Sequence, residues 1–166
     1  MATYAGGVAL NGEADSPSEA TLQRGAPAIR AHACTLARVA MAWLGSETEV
    51  SRVLEQVARE LGAATWSASD DDLVVAMRFL RAACATKLSS APMLSHAPAR
   101  RADGGPALAR AALEALRPTE RDAVVLRLVG GLRTDQIASV CSIDEGAARD
   151  RLTRGLARLL EKEEGR

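Results

Sequence analysis

The sequence predicts an all-α protein: two small helical lobes joined by a flexible linker, the second lobe ending in a helix-turn-helix. Three observations carry this. Apolar residues recur at spacings of three and four across residues 28–87 and again from 116 to 160, the period of an amphipathic helix. The runs are bounded by capping residues at their starts and glycines at their ends. Between them lies a stretch from Leu88 to Pro106 with three prolines, a Gly-Gly pair and no apolar periodicity. The resulting division is a disordered tail at 1–26, a first lobe at 27–88, a linker at 89–106 and a second lobe at 107–166.

The tail is rich in Gly, Ser, Ala and acidic groups, a composition that buries too little apolar surface to order itself. Helical patterning starts near Pro27, where Ile29, Leu36, Ala40, Trp43 and Leu44 mark one face of a helix ending at Gly45. Ser46 and Glu49 have the spacing of a capping box, in which each side chain serves the other residue's backbone donor. Val50, Val53, Leu54, Val57 and Leu61 then define a second amphipathic helix, closed by Gly62. After a short loop, Ser69-Asp70-Asp71-Asp72 supplies a cap and first-turn acids for a third helix, whose seam is Leu73, Met77, Leu80 and Cys84.

In the second lobe, Pro118 suits the first position of a helix because the donor it lacks would be unpaired there. Val124, Val125, Leu128 and Val129 form its apolar stripe, and Gly130-Gly131 end it. A two-turn helix from Thr134 to Cys141 buries Ile137, Ala138 and Val140 or Cys141. Ser142-Ile143 is a connection of the length that sets two helices at a sharp angle. Asp144 caps the last helix, in which Ala148, Leu152, Gly155 and Leu159 make a narrow apolar seam, with Arg149, Arg151, Arg154 and Arg158 on the flanks and outer face. From Ala147 to Arg158 there are four arginines and one acid, Asp150, a local charge of +3. In a helix-turn-helix the second helix enters the DNA major groove while the first crosses the backbone, so this charge is placed where nucleic acid would lie.

Composition narrows the alternatives. Lys plus Arg equals Asp plus Glu at 21 each, so no global field draws the whole chain to nucleic acid, and only the placement of arginine is informative. No run approaches the ~20 apolar residues of a membrane span and the first residues lack a signal-peptide pattern, so a cytoplasmic location is expected. Cys34, Cys84 and Cys141 lack metal-type spacing and are expected to be small core residues. His32 and His96 are the only histidines, and no nucleophile-base pair or phosphate loop is present; the sequence predicts no catalytic residues, no metal and no cofactor, and a protein that is not an enzyme.

The second lobe resembles region 4, the −35-element-binding domain of bacterial RNA polymerase sigma factors, in particular the extracytoplasmic-function (ECF) type of the sigma-70 family. The likeness rests on Leu116, Pro118, Val124 to Leu126 followed by Arg127, Gly131-Leu132, Ile137-Ala138, Ile143, Gly146 and Arg149-x-Arg151-Leu152-x-x-Arg154. It implies DNA contacts from Arg133, Thr134, Glu145, Arg149, Asp150, Thr153, Arg154 and Arg158, with promoter DNA, core RNA polymerase and an anti-sigma factor as partners. The family usually has glycine in the turn where this chain has Ser142, at a steric cost. By the same analogy the first lobe is region 2, with polymerase contacts from Glu49, Arg52, Glu55 and Gln56. Here EVSRVLEQ replaces the family's acidic run. Capturing an unstacked base requires an aromatic platform, and Trp66, in the loop before the third helix, is the candidate. Two functions follow: a sigma-like initiation factor or regulator that binds the −35 element and polymerase, or a degenerate sigma-like docking or adaptor protein that binds an anti-sigma factor or polymerase without reading DNA.

Overall fold

The computed structural model describes residues 25–64, 66–67, 69–90 and 105–164. Residues 1–24 of the expected tail and most of the expected linker lie outside them, while residues 25 and 26, expected in the tail, begin the first helix. Among the described residues there are seven helices and no strand: α1 (Gly25–Leu44), α2 (Glu47–Ala63), α3 (Asp72–Ser90), α4 (Gly105–Glu114), α5 (Pro118–Leu128), α6 (Thr134–Cys141) and α7 (Glu145–Glu164). The all-α expectation holds. Helix α4 was not anticipated, since its GPALARAALE sequence begins inside the expected linker. Among the described residues no helix is long and apolar enough to cross a membrane.

Helices α1, α2 and α3 pack pairwise around Leu36, Val39, Val53, Val57, Leu61, Met77 and Leu80. Each such side chain contributes roughly 1.5–3 kcal/mol by leaving water. The Ser46 hydroxyl accepts from the Glu49 backbone N–H at 3.5 Å, the expected cap of α2. Asp71 starts α3, its Oδ1 accepting from the backbone N–H groups of Leu73 (2.9 Å) and Val74 (3.3 Å). Trp43 lies in this core.

The second group is α5, α6 and α7, built on Val124, Val125, Leu126, Leu132, Ile137 and Ala148. Residue Gly155 lets α7 lie directly on α5: a Cβ there would sit 2.6 Å from Val124 Cγ2, so any side chain would push the helices apart. The expected stripe of α5 is corrected at Leu128, which is 62% exposed because the helix presents Val124 and Val125 inward instead. The expectation for Cys34 is also corrected. It lies on the outward face of α1 and is exposed, whereas Cys84 and Cys141 are buried. Burial pushes the Cys84 thiol up to about 12, with the Asp122 carboxylate adding to the effect, and raises Cys141 as well.

The two groups also touch. Helix α3 packs on α6, α1 on α5, and the buried side chains of both groups form one contiguous cluster. Polar bridges line the α3–α6 seam. The Arg78 guanidinium donates to the Ser139 carbonyl (3.0 Å) and hydroxyl (2.6 Å), Arg81 pairs with Asp122 of α5 at 2.9 Å, and Gln136 Nε2 donates to Asp71 Oδ2 at 2.7 Å.

Candidate nucleic-acid interface

The corner between α6 and α7 is built as its sequence implies. Ser142 holds φ 55° and ψ 48°, the left-handed conformation that ends a helix. The Ile143 N–H reaches back to the Ala138 carbonyl at 3.0 Å, closing the six-residue loop of a Schellman motif. One residue later the Asp144 carboxylate accepts from the Ala147 N–H at 2.8 Å and caps α7. These two hydrogen bonds and the left-handed Ser142 thus fix the direction in which α7 leaves the turn. Its buried side is Ala148 and Gly155, flanked by the half-buried Leu152 and Leu159, so Arg149, Asp150, Thr153 and Arg154 face solvent.

These outward groups are not equivalent. Glu145, an acid expected to touch DNA, pairs with the Arg149 guanidinium at 2.8 Å, and both side chains stay exposed. Arg154 donates to the Asp150 carbonyl at 3.2 Å and has no carboxylate partner among the described residues. Asp150 lies exposed beside it. Arg158 turns inward to Glu120 of α5 at 2.5 Å. That carboxylate is 3% exposed and also accepts from the Arg117 backbone N–H. Arg158 is therefore engaged in joining α7 to α5, where it partners a buried carboxylate.

At the start of α6, Arg133 is exposed and Thr134 half-buried. Arg133 forms a two-point pair with Asp135 at 2.9 and 3.1 Å, which raises the guanidinium pKa and lowers that of the carboxyl. The residue that sequence reasoning missed is Gln136. Its Oε1 accepts from the Arg133 N–H at 2.9 Å while its amide reaches Asp71 on the other group of helices. Its place three residues after Arg133 is the capping-box spacing, the one signal that could have singled it out.

The remaining candidates lie apart from this face. Glu49, Arg52, Glu55 and Gln56 sit on α2, where Glu49 pairs with Arg52 (2.8 Å) and Lys87 (3.8 Å) and Gln56 donates to Glu60 (2.8 Å). The Trp66 ring packs half-buried against the core, and its indole N–H is bound to Asp72 at 3.2 Å, so it would have to leave that site to stack on a base.

Residues 107–159 match the family model for sigma-70, region 4. No match is found among curated protein sequences. Three solved structures share the fold. The first is CnrH in complex with the cytosolic domain of CnrY (18% identity, TM-score 0.69, covering 86% of this chain and 90% of that one). The second is the sigma factor RpoE in complex with the anti-sigma factor NepR from Bartonella quintana (16%, 0.63, 84% and 93%). The third is the anti-anti-sigma factor PhyR complexed with NepR from the same organism (16%, 0.60, 82% and 49%). Residues 107–159 are thus similar to sigma-70 region 4, and the described helices have the fold seen in the sigma factor RpoE.

Proposed function

We propose that this chain is an ECF-type sigma-like transcription factor that reads a −35-type promoter element with α6 and α7 and engages core RNA polymerase through both groups of helices. The observation that carries the reading is the outward face of α7. Thr153 and Arg154 project from a helix whose exit angle is fixed by Ser142 and Asp144, and Arg154 has no carboxylate partner among the described residues. Such a helix can enter the major groove with α6 against the backbone, and an arginine there can form a two-point contact with guanine. The test is a titration of core polymerase plus this chain against a duplex selected from a randomised pool. Arg154→Ala is expected to weaken binding by about 1–3 kcal/mol and to relax preference at one base position. Unchanged affinity and preference would remove Arg154 from the contact.

A second reading, docking on an anti-sigma factor without reading DNA, is favoured by a specific observation. Arg149 and Arg158 are both neutralised internally and Asp150 adds a negative charge, so the outward face carries less net charge than the sequence suggests. The likeness to PhyR, an anti-anti-sigma factor, is consistent with this reading. Recovery of an anti-sigma protein by the full chain, with no selective duplex emerging from the pool, would support it.

A further inference from the structure

The contact between α3 and α6 has a chemical peculiarity. In a helix-turn-helix the first helix lies across the phosphate backbone, and its amino end offers N–H groups and side-chain donors to phosphate oxygens. Here that end is α6, and the group lying against it is an aspartate. Asp71 Oδ2 takes the Gln136 amide at 2.7 Å, while its other oxygen caps α3, so the carboxylate is fixed from both sides. Asp71 also adds to the electrostatic field on Arg133, after the dominant contribution of Asp135. Asp70 and Ser69 line the same cavity, about 260 Å³, together with Arg78, Arg133 and Gln136.

The rest of the seam clamps the arrangement. Arg78 and Arg81, one turn apart on α3, hold Ser139 at the far end of α6 and Asp122 on α5. All of these donors and acceptors are at least partly exposed, so the seam can hydrate when it opens. From this geometry we infer that the acidic turn 69–72 acts as an internal substitute for DNA phosphate, and that the resting chain is closed by an autoinhibitory α3–α6 clasp. Resting on the DNA-binding reading above, the inference adds that duplex and Asp71 compete for the same end of α6. Binding then requires the seam to open, and the apparent affinity is the intrinsic affinity multiplied by the fraction of chains that are open.

The test uses the full chain and the double variant Arg78→Ala/Arg81→Ala, which touches none of the residues assigned to DNA. Two readouts are taken: hydrogen exchange in α6 and the 69–75 segment, and affinity for the selected duplex. Removing two cations from a DNA-binding protein ordinarily weakens it, because phosphate contacts or steering are lost. The clasp predicts the opposite sign. Exchange should become faster in both segments and affinity should rise about tenfold, as expected if the resting chain is open about a tenth of the time. Faster exchange with equal or lower affinity would overturn the clasp, as would unchanged exchange. If exchange speeds up and neither chain binds the duplex, the DNA-binding reading itself fails. Should the double variant lose helicity, Asp71→Asn retains an oxygen for the α3 cap and serves in its place, with the same two outcomes expected.

Discussion

The outer faces of α2 and α7 are both exposed, charged and helical, yet they are organised differently. On α2 Glu49 pairs with Arg52 of the same helix and with Lys87 of α3, while the exposed Arg59 has only the Glu55 carbonyl, and the helix follows no helix-turn-helix corner. On α7 the pairing is incomplete in the same way, but this helix leaves the Ser142–Asp144 corner. Arg149 and Arg158 are taken by Glu145 and Glu120, but Arg154 keeps its guanidinium facing outward with only a backbone carbonyl. The difference shows why a count of arginines is a poor guide to a binding face. Of the four arginines counted in the sequence, the fold gives carboxylate partners to two, Arg149 and Arg158.

The strongest way to break the comparison is to ask whether the two groups of helices are independent at all. Their buried side chains form one cluster, so Ile137→Ala and Leu36→Ala, both at fully buried positions, should each cost about 3 kcal/mol and lower one shared unfolding transition. Two separable calorimetric transitions, with each variant moving only one, would show that the lobes fold apart. Next in size is Glu120→Ala. It strands Arg158, which is 38% exposed and can partly rehydrate, so the expected loss is about 2 kcal/mol, at or below the low end for breaking a buried pair. A change within about 0.5 kcal/mol by denaturant titration would mean that the pair contributes nothing net.

Smaller again is Ser142→Gly. A residue with Cβ pays for its left-handed backbone at φ 55°, so glycine should stabilise the corner by about 0.5–1 kcal/mol, read as a rise in Tm. Last is an effect absent at neutral pH. The Cys84 thiol, near 9.0 in the unfolded chain, is pushed up to about 12 by burial in the folded one. Its raised folded value means that the stability associated with the buried thiol is complete below pH 9 and declines as pH rises from 9 to 12. Cys84→Ala should flatten that part of the profile. Under mild alkylation Cys34, exposed on α1, should react first, with Cys84 and Cys141 protected until the chain unfolds.

Much of the local architecture was legible in the sequence because it depends on neighbours. The Ser46, Asp144 and Pro118 starts, the Ser142 corner and the length of α6 follow from groups within a few residues of one another. What was not legible depends on partners far along the chain. Glu120 and Arg158 are 38 residues apart, Arg81 and Asp122 are 41, and Asp71 and Gln136 are 65. No periodicity encodes such pairs, so Arg158 could be taken for an outward cation and the α3–α6 seam could not be foreseen. Cys34 and Leu128 show the same limit at smaller scale. An apolar or small residue on a helix goes inward only if another element covers that side, and none of the described elements does so here.

The central claim is that the outward face of α7, and not exposed arginine in general, makes the chain a DNA reader. The direct measurement compares Arg154→Ala with Arg52→Ala, an exposed arginine on α2, by fluorescence anisotropy on the selected duplex across a series of salt concentrations. The account predicts an affinity loss of about 1–3 kcal/mol for Arg154→Ala and a change within about 0.5 kcal/mol for Arg52→Ala. Equal losses from the two substitutions, or none from either, would contradict it.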